Sequence, residues 1–350
     1  MKEETTAEFD VQSLSEFLGR TGNLLVHLLD ICNLQCKHCY LDASPMGSYV
    51  LPLDLVLHTM EEADALGIKS VQLSGGEPLL HPNIDAILRA AKGKRFSLSL
   101  STNGTRIDDS IADLLSEMNA SIVASIDGPA VYHDLFRGRQ GCFDQAEKGI
   151  GRLIDRGLHV RIVSTICEDN YEHIDWCAAW AHGMKAAVLQ FQPLEDFGRG
   201  RNIYSRALSE ERIHDLFIHL NDLAVSYSPK GLKITMTYRS REFMIAHPCS
   251  AFVCNGKNCH RGVEKELKKI VIREDGTILP ELVDIDRRFS IGNLYEASLR
   301  DSLIHFLDRG YSSFDRLCRQ VYDEVVVNGS SPLIAWNEIL SERSRTFELL

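Results

Sequence analysis

The 350-residue chain has no long run of lysine and arginine, and its formal net charge is −11. Binding a phosphate backbone needs a basic footprint, so nucleic acid is not expected as its main partner. No uninterrupted apolar stretch reaches the roughly 18 residues of a membrane span. The opening MKEETTAEFD is acidic and polar, unlike a secretory signal. A cytoplasmic protein without a membrane partner is therefore expected. Internal repeats of solenoid length and low-complexity segments are also missing. So is a glycine-rich turn after the first strand-like run, which removes the main support for a doubly wound nucleotide-binding sheet. Composition is otherwise ordinary, at 44% hydrophobic and 25% charged. The length suits about two domains, or one barrel-sized domain with an extension.

What the chain does have is cysteine, ten in all. A disulfide framework is not expected in a reducing compartment at this size. Metal ligation, redox chemistry and burial as small apolar residues remain, and spacing decides between them.

Strand-like runs at 23–31, 70–75, 95–103, 121–127, 159–166 and 187–193 alternate with helical patterns. Several of the helical patterns end in glycine, and NID (83–85) and DDS (108–110) offer N-caps. An amphipathic helix at about 209–227, opened by Ser209, closes this unit. Strand–helix units in such a series predict an α/β fold, a partial (β/α)6 barrel of TIM type. Beyond it, 232–238 reads as one more strand, and 268–282 as a β-hairpin around Asp275-Gly276. The tail from 296 is mainly helical. The expected division is a lead segment (1–22), a core domain (23–228) and a smaller C-terminal α+β extension (229–350).

The first strand runs into CNLQCKHCY (32–40), a Cys-x3-Cys-x2-Cys pattern. Three thiolates this close can wrap one corner of a cubic iron–sulfur cluster, leaving one iron without a protein ligand. A small molecule could chelate that iron through an amine and a carboxylate. Two plainer readings stand beside this one. A zinc knuckle could recruit His38 or Asp30 as its fourth ligand, or the three cysteines could simply be core residues.

CxxxCxxC followed by an aromatic, on the loop after the first strand of an α/β barrel, resembles the radical S-adenosylmethionine (SAM) superfamily. The resemblance implies a [4Fe-4S] cluster on Cys32, Cys36 and Cys39, with SAM on the open iron. One-electron reduction would cleave SAM to methionine and a 5′-deoxyadenosyl radical, which abstracts a substrate hydrogen. Tyr40 would pack near the adenine. SGGEP (74–78) resembles the family's GGEP motif, with Gly75, Gly76, Glu77 and Pro78 meeting the methionine amino group. Alone, those residues would be an ordinary strand-to-helix turn. STNG (101–104) resembles the segment near the SAM ribose, offering Ser101 and Asn103. SIDGP (125–129) offers Ser125. In HDLFRG, with His133, Arg137 is a candidate for the SAM carboxylate, or a solvated surface arginine. Gln190 and Gln192 would face the barrel interior, touching SAM or substrate or satisfying buried backbone. GRG (198–200) extends the resemblance weakly.

Cys249, Cys254 and Cys259, then His260 and the hairpin, resemble the SPASM or twitch extension of that superfamily. SIGNL (290–294) matches a segment that follows it. Where the family has a cysteine just past the hairpin, this chain has Glu281. A rearranged auxiliary [4Fe-4S] cluster could use Cys249, Cys254, Cys259 and Cys318. Zinc with His260, a lost cluster, or a free thiol donating a hydrogen atom are the alternatives. Cys142, Cys167 and Cys177 are isolated and read as core residues.

The expected enzyme is a radical SAM oxidoreductase or maturase that modifies a ribosomally made peptide by crosslinking, oxidation or epimerisation. An electron donor such as flavodoxin or ferredoxin is implied. The first alternative is a small-molecule substrate: a cofactor, sugar or antibiotic precursor. Residues 1–22 are too few for a winged-helix leader-binding module, which weighs toward that alternative. The second is a non-catalytic iron–sulfur or zinc protein that binds a partner, which would have no need of the GGEP and STNG segments.

Overall fold

The computed structural model describes residue 14 and residues 22–253, 267–282 and 284–348. Seven parallel strands form its centre: β1 (Asn23–His27), β2 (Ser70–Ser74), β3 (Ser97–Thr102), β4 (Ser121–Ser125), β5 (Val160–Ile166), β6 (Val188–Pro193) and β7 (Lys233–Met236). Each pairs with the next in chain order. The crossover helices are α1 (Leu53–Ala65), α2 (Ile84–Ala90), α3 (Asp109–Glu117), α4 (Ala130–Arg137), α5 (Cys142–Asp155), α6 (Ile174–Gly183) and α7 (Glu210–Tyr227). This is the expected barrel series, with 233–236 added as a seventh parallel strand. The short helix α4 is an addition; its HDLFRG sequence carries no apolar period long enough to announce it.

The C-terminal part comprises β8 (Arg239–Ser240), α8 (Arg241–Ala246), β9 (Lys269–Ile272), β10 (Thr277–Pro280), β11 (Gly292–Asn293), α9 (Leu299–His305), α10 (Tyr311–Tyr322), β12 (Leu333–Ile334) and α11 (Trp336–Thr346). The Asp275-Gly276 turn joins β9 to β10 as a hairpin, with Gly276 at φ 79°. β9 lies parallel to β1, pairing Asn23 with Lys269 and Val26 with Ile272. One ten-stranded sheet, ordered β11-β10-β9-β1-β2-β3-β4-β5-β6-β7, therefore runs across residue 228.

The two faces of the parallel strands differ in chemistry. Leu24, Val26, Val71, Leu73, Leu100, Ile122 and Ile162 are buried on the outer face and form the core with the helices. Inner positions are aligned by the register: Leu25 with Gln72, Gln72 with Ser99, Val123 with Arg161, and Val163 with Gln190. TIM barrels usually fill this space with branched apolar side chains. Here a largely polar inner face lines a cavity of about 730 Å³.

Local signals behave as their chemistry demands, with two departures. The Asp108 carboxylate accepts from the Ile111 N–H (2.9 Å), and the Ser209 hydroxyl from the Arg212 N–H (3.2 Å), capping α3 and α7. Asn83 makes no side-chain cap for α2; its own N–H donates to His81 Nδ1 (3.2 Å). The regular pairing of the first run also stops at His27. Residues 28–31 continue extended, bridging Leu29 to Val50 and Ile31 to Ser44.

Candidate active site

The cysteine loop leaves the extended segment beyond β1 and is held at several points by backbone contacts. Cys32 N–H donates to Ser44 O (3.0 Å) and Lys37 N–H to Phe136 O (2.9 Å). Arg199 clamps the loop from beyond β6: its Nε donates to Cys36 O (2.8 Å), its Nη2 to Ala43 O (2.6 Å), and its N–H to Cys39 O (2.9 Å). Gly198, at φ 50°, lets that strand of chain lie on the loop, because a Cβ there would overlap the carbonyl oxygens of Cys39 and Tyr40. The weak GRG signal thus marks a structural clasp.

Cys32, Cys36 and Cys39 all line the cavity. N–H groups point at two of the sulfurs: Leu34 N–H (3.4 Å) and Asn103 Nδ2 (3.8 Å) at Cys32, and Arg137 Nη1 (3.9 Å) at Cys36. Such donors stabilise thiolate ligands. Burial pushes the Cys32 thiol up to about 12 and raises Cys36 as well. Bare thiolates are therefore disfavoured here, and a cationic metal centre is what would offset that cost. Among the described residues no three His, Cys, Asp or Glu side chains are gathered as ligands of a single ion. A cubic cluster sets its three thiolates on separate irons, so the three cavity-lining cysteines fit a cluster better than a zinc ion.

The turn after β2 closes on this loop. Gly76 N–H donates to Leu29 O (2.7 Å) and Glu77 N–H to Ile31 O (2.9 Å). A Cβ on Gly75 or Gly76 would overlap the carbonyl oxygen of Leu29 or Ile31, so the double glycine is what allows the approach. Gly75 and Gly76 line the cavity; Glu77 and Pro78 do not. The Glu77 carboxylate instead accepts from Thr102 Oγ1 (2.8 Å), Asn103 N–H (2.8 Å) and Leu79 N–H (3.3 Å). Burial pushes its carboxyl up to about 7 against those donors. In this arrangement Glu77 straps the end of β3 to the end of β2.

Ser101, Asn103, Ser125, Arg137, Gln190 and Tyr40 all line the cavity. Asn103 Nδ2 donates to Asn33 Oδ1 (2.9 Å) as well as facing Cys32. Arg137 Nε donates to the fully buried Asp127 (2.7 Å), which leaves the other end of the guanidinium toward Cys36. Burial opposes ionisation of Asp127, but Arg137, with His38 and His133, holds its carboxyl down to about 2. Arg137 is thus a fixed buried cation and not a solvated surface residue. Gln190 Oε1 accepts from Arg161 Nη1 (2.9 Å), and Gln192 Nε2 donates to Glu195 (3.2 Å). Arg161, Glu195 and Lys269 are cavity residues that motif reading passed over; His38, weighed above as a zinc ligand, lines the cavity as well. Period-two alternation along β5 and β6 is the signal that could have found Arg161.

Residues 26–181 match the family model for the radical SAM superfamily. The chain carries a radical SAM domain. It is 29% identical over 283 residues to the antilisterial bacteriocin subtilosin biosynthesis protein AlbA of Bacillus subtilis, covering 79% of this chain and 59% of AlbA. It is 37% identical over 144 residues to the pre-heme d1 synthase of Dinoroseobacter shibae, covering 40% of this chain and 35% of that protein. The match therefore spans less than two thirds of the length of either curated relative. In fold it is similar to Streptococcus suis SuiB bound to precursor peptide SuiA, with a TM-score of 0.66, 18% identity, and coverage of 86% of this chain and 68% of SuiB. It is also similar to anSMEcpe with bound AdoMet and a peptide, at a TM-score of 0.64, 18% identity, and 93% and 94% coverage.

Outside the radical SAM domain, the second cysteine group is only partly in view. Cys254, Cys259 and His260 lie outside the described residues. Cys318 is fully buried on α10, where burial first and then the nearby Glu281 charge raise its thiol. Glu281 is buried too, at φ 62°, and its carboxylate accepts from Lys268 N–H. Lys268 Nζ in turn donates to Cys249 O. Lys268 thereby connects Cys249 to Glu281, and Glu281 lies within electrostatic reach of Cys318. Cys142, Cys167 and Cys177 are buried. Cys142 packs directly behind the cysteine loop with Cys32, Leu34 and Cys36.

Proposed function

We propose that this chain is a radical SAM enzyme acting on a ribosomally made peptide. The observation that carries the reading is the meeting of Cys32, Cys36 and Cys39 with Gly75, Gly76, Ser101, Asn103 and Ser125 around one polar cavity. A [4Fe-4S] cluster with SAM, when bound, supplies reductive cleavage of SAM and abstraction of a substrate hydrogen. The chain's own residues would prepare the place for it. Cys32, Cys36 and Cys39 would ligate three irons. Arg137 and Asn103 would direct N–H groups toward the bound sulfurs, and Arg137 could also face a carboxylate. The glycine turn would offer backbone at close range, and the barrel wall would limit the access of water.

The peptide reading is supported by the similarity to AlbA, named for bacteriocin biosynthesis, across 79% of the chain. It is also supported by 29% identity over 163 residues to the sporulation killing factor maturation protein SkfB of Bacillus subtilis. A small-molecule substrate is the second reading, favoured by the higher identity to pre-heme d1 synthase, but over only 40% of the chain. An auxiliary cluster on Cys249, Cys254, Cys259 and Cys318, a flavodoxin or ferredoxin donor, and a cytoplasmic location belong to the same proposal. Among the described residues no helix is long and apolar enough to cross a membrane.

Anaerobic reconstitution followed by dithionite and SAM tests the reading, with 5′-deoxyadenosine as the expected product. A fully iron-loaded protein that releases none would overturn it. Iron counting on the Cys32/Cys36/Cys39→Ala variant tests the second site: about four irons per chain should remain if the auxiliary cluster exists.

A further inference from the structure

We propose that Glu274 is a positioning residue that fixes the Tyr40 ring for SAM binding, acting through His27. The proposal rests on the reading that SAM occupies the cavity. Its basis is a buried chain of side chains linking the C-terminal hairpin to the cysteine loop.

Because β9 pairs with β1 up to Val26–Ile272, the turn after β9 lies level with the end of β1. That brings Glu274 beside His27; both are buried, at 7% and 0% exposure. His27 Nδ1 faces Glu274 Oε2 at 3.7 Å. Arg273 Nη2 donates to the other Glu274 oxygen (3.0 Å). On the far side of the imidazole, Nε2 meets the Tyr40 hydroxyl at 3.3 Å. Tyr40 as a whole is 39% exposed, and it is one of the residues lining the cavity. An open ring with an anchored hydroxyl is what a stacking surface of fixed pose requires.

The tautomer follows from the partners. A carboxylate facing Nδ1 places the proton there, so Nε2 is left to accept from the phenol. Burial keeps the imidazole below its ordinary range, in the neutral form this needs. The distance of 3.7 Å is too long for a hydrogen bond. His27 Nδ1 and Glu274 Oε2 are both buried without a hydrogen-bond partner. A shift of under about 1 Å would join them and remove that cost.

The test uses anaerobic, cluster-loaded protein and two readings. One is the SAM dissociation constant, followed by the EPR signal of the reduced cluster. The other is the 19F resonance of 3-fluorotyrosine placed at position 40, without SAM. Glu274→Gln and Tyr40→Phe should each weaken SAM binding about tenfold, the usual scale for an outer partner. The double variant should be no weaker than Tyr40→Phe, because the two residues act through one path. Glu274→Gln should also move the 19F resonance. Losses that multiply in the double variant, or a Glu274→Gln protein with unchanged SAM affinity and resonance, would overturn the relay. If Glu274→Gln fails to load iron, Glu274→Asp, which keeps the charge but withdraws it by one methylene, takes its place under the same criteria. A wild-type protein that binds no SAM would sink the functional reading, while the 19F comparison still decides the relay.

Discussion

Replacing Glu77 by glutamine separates two roles for the acidic residue of the glycine turn. In the structure its two carboxylate oxygens take three donors: Thr102 Oγ1 and Leu79 N–H on Oε1, and Asn103 N–H on Oε2. Thr102 cannot simply turn round, because its oxygen already accepts from Gly104 N–H (3.0 Å). Glutamine offers one acceptor oxygen, so its amide NH2 would confront Asn103 N–H or Thr102 O–H. A buried donor left without an acceptor costs about 1–3 kcal/mol. The cost should depend on pH. Burial pushes the Glu77 carboxyl up to about 7 from an ordinary value of 4.5. The folded wild type therefore binds the proton more tightly than the unfolded chain, and loses stability as pH rises toward 7. From about pH 6 to about pH 8 that loss amounts to about 1 kcal/mol, at 1.36 kcal/mol per unit. Glutamine does not titrate, so the variant's deficit should be larger at about pH 6 than at about pH 8. Urea denaturation of the anaerobic protein at the two pH values measures both effects. A Glu77→Gln protein as stable as wild type at the lower pH, yet selectively impaired in SAM affinity, would refute the strap and make Glu77 a ligand contact.

Gly76→Ala should cost about 2–5 kcal/mol, from two backbone hydrogen bonds to residues 29–31 and the strain of the overlapping Cβ, and should lower iron per chain. Gly67→Ala is its control: with open space around its Cβ position and only a φ of 73° to offend, it should cost about 1–2 kcal/mol and leave iron unchanged. Asp127→Ala strands the buried Arg137 guanidinium and should destabilise by about 3–5 kcal/mol in the same denaturation assay. Arg199→Lys keeps the charge but loses the fork that spans Cys36 O and Ala43 O. Iron should leave that variant several times faster than wild type in a chelator challenge; an unchanged rate would show that the clasp is not needed.

The legibility of this fold follows from how local its signals are. The strand at 159–166 and the hairpin at 268–282 announce themselves because period-two burial and an Asp-Gly turn are written in a few consecutive residues. Helix α4 is not announced, because its helical state comes from packing onto the cysteine loop. Asn83 is a cap by composition and not in fact: its side chain makes no cap hydrogen bond, and its own N–H goes to His81 Nδ1. The functional turns were readable as motifs, but their division of labour was not. Gly75 and Gly76 reach the cavity while Glu77 and Pro78 turn away from it.

The sequence alone determined the placement of three thiols on one short loop, the series of strand–helix units that carries it, and the motif turns at the strand ends. Chain-neighbour spacing and periodicity suffice for these. Tertiary structure decided everything that depends on residues far apart in the chain. It brought Arg199 onto the backbone of Cys36, set Asp127 against Arg137, and turned Arg161 and Gln190 into a polar interior. It also laid β9 beside β1, so that Glu274 faces His27 although 247 positions separate them in the chain. The reason is physical: such contacts are fixed by strand register and helix packing, which close only when the sheet assembles, and no local pattern encodes their partners.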